Sequence, residues 1–179
     1  MEYRRPYTIT GPRVATAAAL VVLCVVGAAL PYFTLAYLDF SSAPTRSTTN
    51  VFGTISLLNK LSLEYVPAAR QVGLDPLDHA FTVMLLGSAM QAVGLVVAIA
   101  TVAGQFMNEI NKFLWWPFLI GGALLVLGPV PVFISHQMLT GDKVDTSVLW
   151  GWLPLFAAGI LVVVTALRSR RRLDSYRGL

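Results

Sequence analysis

His79 and His136 are the two histidines of the chain and the residues whose type best suits metal chemistry. His79 stands at the beginning of one long apolar stretch, and His136 stands at the end of the next. Paired histidines on facing helices can ligate a haem iron axially, and Asp75 or Asp78 could help them hold another metal ion. Haem-binding bundles usually bury their ligands deeper, so the alternative interpretation is two polar residues at helix ends.

Gln91 is the one strongly polar side chain deep within an apolar stretch. Such a side chain commonly forms a hydrogen bond across helices, worth about 1 kcal/mol in membrane bundles. A substrate or ion site is the alternative. Asp, Glu, Lys, Arg and His are absent from the interiors of the apolar stretches, where ion-coupled transporters usually carry ionisable groups. The pattern therefore favours a structural role over ion transport.

Catalytic motifs are missing from the sequence. There is no HExxH, no serine or cysteine nucleophile elbow, no glycine-rich phosphate loop and no CxxC. The single cysteine, Cys24, lies inside the first apolar stretch and cannot form an internal disulfide. We therefore expect a protein that is not an enzyme and predict no cofactor, apart from the haem or metal alternative at His79 and His136.

A Gly128-Pro129-Val130-Pro131 segment interrupts the third apolar stretch. Each proline removes a backbone donor, so the segment predicts a kinked helix. Broken helices line binding sites in some transporters, which keeps a small transporter or a lipid- or quinone-handling protein as a further alternative. Small residues at helical spacing predict close helix contacts, either within the chain or with another subunit. These residues are Gly87, Ser88, Gly94, Ala98, Gly121, Gly122, Gly128, Gly151, Ala158 and Gly159.

Four apolar stretches must position these residues. They cover residues 14–38, 80–103, 113–135 and 147–167, and each is long enough to cross a bilayer core of about 30 Å. The composition agrees, because 56% of the residues are hydrophobic and 12% are charged, about half the usual share of charge. The sequence predicts an all-α membrane protein in which residues 1–179 form a single polytopic domain with four transmembrane helices.

Basic residues predict the orientation of these spans. Cytoplasmic segments of membrane proteins carry an excess of Lys and Arg. With both termini and the second connection placed in the cytoplasm, nine of the 13 basic residues lie inside. These nine are Arg4, Arg5, Arg13, Lys112, Arg168, Arg170, Arg171, Arg172 and Arg177. We therefore predict a multi-pass protein of the cell membrane with both termini cytoplasmic.

Tryptophans and the C-terminal arginines predict contacts with membrane lipids or partner subunits. Trp115 and Trp116 begin the third stretch, and Trp150 and Trp152 begin the fourth, where aromatic rings favour the membrane interface. Arg170, Arg171 and Arg172 form a basic cluster suited to anionic headgroups. The net charge is +4, but the basic residues are concentrated at the two chain ends beside apolar stretches, where they suit a membrane surface. We therefore do not expect nucleic-acid binding.

The connection between the first two spans, about residues 39–78, is the longest segment outside the predicted bilayer. Residues 41–50 are rich in Ser, Thr and Pro and predict irregular chain. Apolar residues then recur with helical spacing from Val51 to Tyr65, which predicts an amphipathic helix ended by Pro67. Such a helix could lie on the outer leaflet, cap the bundle or dock on a partner.

The plan of four spans with one long first outer loop resembles tetraspan families such as claudins. The tryptophan and paired cysteines of the claudin loop are missing, so no family is assigned. The small-residue faces, the amphipathic segment and the basic C-terminal cluster offer surfaces for partners, and catalytic motifs are missing. Together these features indicate a non-catalytic accessory or structural subunit of a larger membrane complex. A bacterial respiratory or energy-converting assembly would use a subunit of this kind. A redox subunit binding haem or metal through His79 and His136 is the main alternative.

Overall fold

The computed structural model describes residues 11–38, 44–71, 75–107, 115–140 and 145–175. This part of the chain is mostly helical, which confirms the predicted class at that level. The helices are α1 (Gly11–Ala29), α2 (Val51–Gln71), α3 (Asp75–Met107), α4 (Trp115–Leu127), α5 (Pro129–Leu139) and α6 (Trp152–Ser175). The strands are β1 (Phe33–Leu38), β2 (Pro44–Thr49) and β3 (Asp145–Val148).

Within these residues, three helical segments are long and apolar enough to cross a membrane. They are Gly11–Ala29, His79–Gln105 and Trp115–Leu139, the last of which combines α4 and α5. The apolar part of α6, Trp152–Arg168, is shorter. At a rise of about 1.5 Å per residue, it is about 25 Å long. Val51–Leu61 of α2 is a second shorter apolar segment. The structure therefore describes a helical membrane protein with three segments long enough to cross a membrane.

A three-stranded antiparallel sheet corrects the predicted all-α class. Residues 33–38 form β1 rather than the end of a span over 14–38, because Pro31 disfavours helix at the residue before it. Residues 44–49 form β2 where irregular chain over 41–50 was predicted. The predicted start of the fourth span at residue 147 lies in β3. β-branched and hydroxyl residues in these segments favour extended chain.

The order of the strands is β2-β1-β3, so the sheet combines two connections that are distant in sequence. Phe33 pairs with Thr49 on one side and with Val148 on the other. Leu35 lies two residues further along the same face, and both apolar side chains are fully buried. The connection after α1 and the connection before α6 therefore lie at one end of the bundle. We call β1, β2 and β3 the sheet head.

The helix predicted in the long connection is present as α2. Its first turn is capped by Asn50, whose Oδ1 accepts a hydrogen bond of 2.8 Å from the Gly53 amide. Leu58 and Leu61 are buried at helical spacing, and α2 packs on α3. The predicted end at Pro67 is wrong, because α2 continues to Gln71. One proline removes one hydrogen bond and can bend a helix without ending it.

Glycines bring α3 into close contact with α4 and α5. A Cβ atom added to Gly87 would lie 2.7 Å from the carbonyl oxygen of Gly128, and one added to Gly94 would lie 2.9 Å from that of Gly121. Because Gly87 contacts Gly128 while the later Gly94 contacts the earlier Gly121, α3 runs antiparallel to α4 and α5. Backbones can approach this closely only where neither helix carries a side chain.

A second glycine contact joins α4 to α6. A Cβ atom on Gly122 would lie 2.9 Å from the Gly159 oxygen, and one on Gly159 would lie 2.9 Å from the Gly122 oxygen. At the end of α1, a Cβ atom on Gly151 would lie 2.7 Å from the Pro31 oxygen. These glycines therefore serve packing within the chain.

The predicted interruption of the third span falls between α4 and α5. Gly128 has φ −55° and ψ −35°, so the chain keeps a helical path there. The Gly128 amide still donates to the Leu124 oxygen at 2.8 Å. Pro129 and Pro131 have no N–H, so the carbonyls four residues earlier, at Leu125 and Leu127, lose their helical donors.

Gly122→Ala tests the contact between α4 and α6. The added Cβ would meet the Gly159 oxygen at 2.9 Å and the Val163 amide nitrogen at 3.0 Å, and backbone atoms cannot move aside alone. We expect a loss of about 1–3 kcal/mol in the free energy of unfolding, measured by denaturant titration in detergent micelles.

Gly11→Ala is the matched control, because nothing lies within 4 Å of a Cβ at that position. It should leave the stability unchanged or slightly raised, as expected for alanine replacing glycine in a helix. Equal losses in both variants would contradict the packing role of Gly122.

Candidate functional site

His136 links the helical bundle to the sheet head. It lies in the last turns of α5, and its Nδ1 shares a hydrogen bond of 2.6 Å with the Thr146 Oγ1 on β3. Thr146 is buried and His136 is half-buried. The other ring nitrogen, Nε2, is the atom through which this histidine could ligate a metal.

His79 lies near the beginning of α3 with an exposed side chain. Because α3 packs antiparallel to α5, His79 and His136 belong to the same end of the bundle. No group of three or more His, Cys, Asp or Glu residues able to hold a metal ion is found among the residues that the structure describes. The side chains of Asp75 and Asp78 lie outside the described part.

The predicted aromatic and basic contacts divide between the two ends of the bundle. Trp115 stacks on Trp116 with ring centroids 4.3 Å apart, and the Arg170 Cζ lies 5.0 Å from the Trp115 centroid. This cation–π contact joins the beginning of α4 to the end of α6. Arg171 and Arg172 follow in α6, but their side chains lie outside the described part of the structure.

The tryptophans at the other end differ in their surroundings. The Trp152 ring meets the Phe133 ring edge-on at 5.5 Å and the Phe156 ring at 6.0 Å, so it packs between α5 and α6. Trp150 lies between β3 and α6 and is 76% exposed. Of the four predicted contact tryptophans, Trp150 presents the most apolar surface to a lipid or a partner.

Tyr32 is fully buried where α1 meets the sheet head. Its backbone bridges the sheet, because its amide donates to the Thr49 oxygen at 2.8 Å and its oxygen accepts from the Leu149 amide at 3.0 Å. The side-chain hydroxyl is buried without a hydrogen-bond partner. This burial raises the pKa of the hydroxyl above its ordinary value. The sequence gives no signal of this burial.

Gln91 is fully buried, and the predicted hydrogen bond across helices is not formed. Neither the Nε2 nor the Oε1 atom of its amide has a partner. Ser88, one turn earlier on α3, is equally buried, and its hydroxyl also has no partner. The structure therefore places two unsatisfied polar side chains on one face in the interior of the bundle. The sequence identified Gln91 by its polarity, but Ser88 appeared only among the small residues.

Together these features define a helical membrane protein with a small sheet head at one end. In its interior lie Gln91 and Ser88, which we call the polar centre. Comparison with known proteins adds no relative: no family model, no curated protein and no solved structure matches the chain. The function is therefore argued from the geometry of this chain alone.

Tyr32→Phe tests the cost of the buried hydroxyl. Removing an unpartnered polar group from a buried site should stabilise the fold by about 1 kcal/mol near neutral pH. Because the folded state favours the neutral hydroxyl, the wild-type protein should also lose stability as the pH rises above 10.0, the ordinary value for tyrosine. Tyr32→Phe should lose less over that range.

Denaturant titrations of both proteins between pH 8 and pH 11 provide the measurement. A destabilised Tyr32→Phe protein at neutral pH would show that the hydroxyl has a partner and would refute this account.

Proposed function

We propose that the chain crosses the cell membrane four times, with both termini in the cytoplasm and the sheet head outside. The apolar part of α6 provides the fourth crossing, because about 17 residues is the lower limit for a span. The antiparallel contacts of α3 with α4, α4 with α6 and α6 with α1 support this count. The arginine-rich end of α6 is the end expected in the cytoplasm.

We further propose that the protein is a non-catalytic accessory or structural subunit of a larger membrane complex. The observation that supports this proposal is the sheet head. Two distant connections form one sheet, which the hydrogen bonds of Tyr32 and His136 hold against the bundle. Within the described residues, β2 and β3 each pair on one side only. Because β3 also packs on α5, the edge of β2 is the one that we assign to a strand of a partner.

The exposed groups of the sheet head suit such a contact. Arg46 and Thr48 are exposed on β2, and Trp150 follows β3 with most of its surface open. Tryptophan and arginine are enriched where protein interfaces gain most of their binding energy. The glycines of the bundle are already occupied by contacts within the chain. The partner therefore binds the sheet head rather than the helix surfaces that carry these glycines.

Photo-crosslinking from the sheet head tests this proposal. A p-benzoylphenylalanine at Thr48, which is exposed on the edge strand β2, should form an adduct with one distinct polypeptide in intact membranes. The matched control carries the same group at Ile120, which is 56% exposed on α4 and should react mainly with lipid.

Native mass spectrometry after mild-detergent purification identifies the same partner by mass. A lone monomer, or an oligomer of this chain alone, would refute the accessory-subunit proposal.

A redox subunit that binds haem or another metal through His79 and His136 is the second candidate. Its support is the hydrogen bond between His136 Nδ1 and the Thr146 hydroxyl, because ligating histidines usually direct their second nitrogen to such a partner. Both histidines also lie at the same end of the bundle.

A visible absorption spectrum of the purified protein tests the haem version. A Soret band that is lost in both His79→Ala and His136→Ala would support the site, with elemental analysis covering other metals. A spectrum without a Soret band, together with no bound metal, would remove this candidate.

A further inference from the structure

The side chain of Gln91 lies directly over the interruption between α4 and α5. A Cβ atom added to Gly128 would collide with the Gln91 Cγ, and Gly87, one turn earlier on α3, touches the Gly128 oxygen. The Gln91 side chain therefore packs against Gly128, where α4 passes into α5.

This part of the bundle collects polar groups without partners. Gln91 brings one amide that both donates and accepts, and Ser88 brings a hydroxyl on the same face of α3. Pro129 deprives the carbonyl of Leu125, a fully buried residue that packs against Gly94 of α3, of its helical donor. In an apolar bundle, unpaired polar groups carry a large desolvation penalty. Groups from α3 and α4 thus require hydrogen bonds at the same depth.

We propose that Gln91, Ser88 and the carbonyl of Leu125 form a buried binding site for water. Water supplies a donor for the carbonyl and both donors and acceptors for the Gln91 amide. The close glycine contacts around the site favour a molecule of that size over a quinone or a lipid headgroup. Ordered water is one of the means by which proline-interrupted helices in membranes satisfy their freed backbone groups.

Charge argues for water rather than a metal cation as the ligand. Residues 80–105 and 115–135 contain no Asp, Glu, Lys, Arg or His. A bare cation in the interior would lack a counter-charge, which is costly in a low-dielectric environment. A neutral ligand avoids that cost and still satisfies the polar groups.

The site lies at the beginning of α5. The other end of α5 is bonded to β3 through His136 and Thr146. Water that bridges α3 to the freed carbonyl of Leu125 stabilises the interrupted helix in its present path. This inference does not depend on the accessory-subunit proposal.

Radiolytic hydroxyl labelling in lipid nanodiscs tests the proposal, because X-ray pulses convert bound water into radicals that modify adjacent side chains. Of residues 124–132, Leu125 and Val132 are fully buried, and both should nevertheless be labelled in the wild-type protein. Gln91→Leu should reduce this labelling several-fold, and the milder Ser88→Ala should reduce it in part.

Gln105→Leu is the matched control. Gln105 is also an amide without a partner on α3, but 14 residues of helix, about 21 Å, separate it from Gln91. Its replacement should leave labelling of residues 124–132 unchanged. Circular dichroism and the unfolding midpoint of each variant show whether the fold is retained.

Three outcomes would overturn the proposal. The first is wild-type labelling of residues 124–132 no stronger than that of the apolar residues 158–166 in α6. The second is unchanged labelling in a folded Gln91→Leu protein. The third is a site that binds sodium, shown by labelling that rises when choline replaces sodium in the buffer.

Discussion

The close approach of the α3 backbone to α4 and α5 is the contact on which the rest of the structure depends. Lipid tails are as apolar as leucine, so helices in a bilayer gain little from hiding apolar side chains from lipid. Contact between backbones, allowed by Gly87 and Gly94 on one side and Gly121 and Gly128 on the other, supplies the missing attraction. Gly122 extends the same arrangement to α6.

This packing determines where the sheet head forms. The antiparallel directions of the helices bring the end of α1 beside the beginning of α6, where the Gly151 amide donates to the Pro31 oxygen at 3.0 Å. β1 begins and β3 ends beside that contact, and the two strands pair with each other. His136 then joins β3 to α5. The head is therefore joined to the bundle through both α1 and α5.

The same glycine contacts create the polar centre. Gly128 leaves room for the Gln91 side chain, while the following prolines remove backbone donors from the helix that Gln91 touches. Packing in the interior of the bundle does not require a polar side chain at position 91. The buried Gln91 amide therefore adds donors and acceptors that packing alone does not explain. The sheet head and the polar centre are therefore the two features on which the proposals for this protein are based.

The long apolar stretches were enough to predict a helical membrane protein, and the helical spacing of apolar residues was enough to predict the helix over 51–65. The prolines after Gly128 predicted the interruption of the third stretch. These features depend on the local sequence, through the length of a stretch and the loss of backbone donors. Four spans and their orientation remain predictions. The sheet needed tertiary structure, because β1 gains its partners from residues 44–49 and 145–148, which are distant in sequence. The burial of Tyr32 and Gln91 was decided in the same way. A side chain's hydrogen-bond partners depend on which helices meet, and periodicity within one helix does not specify its neighbours.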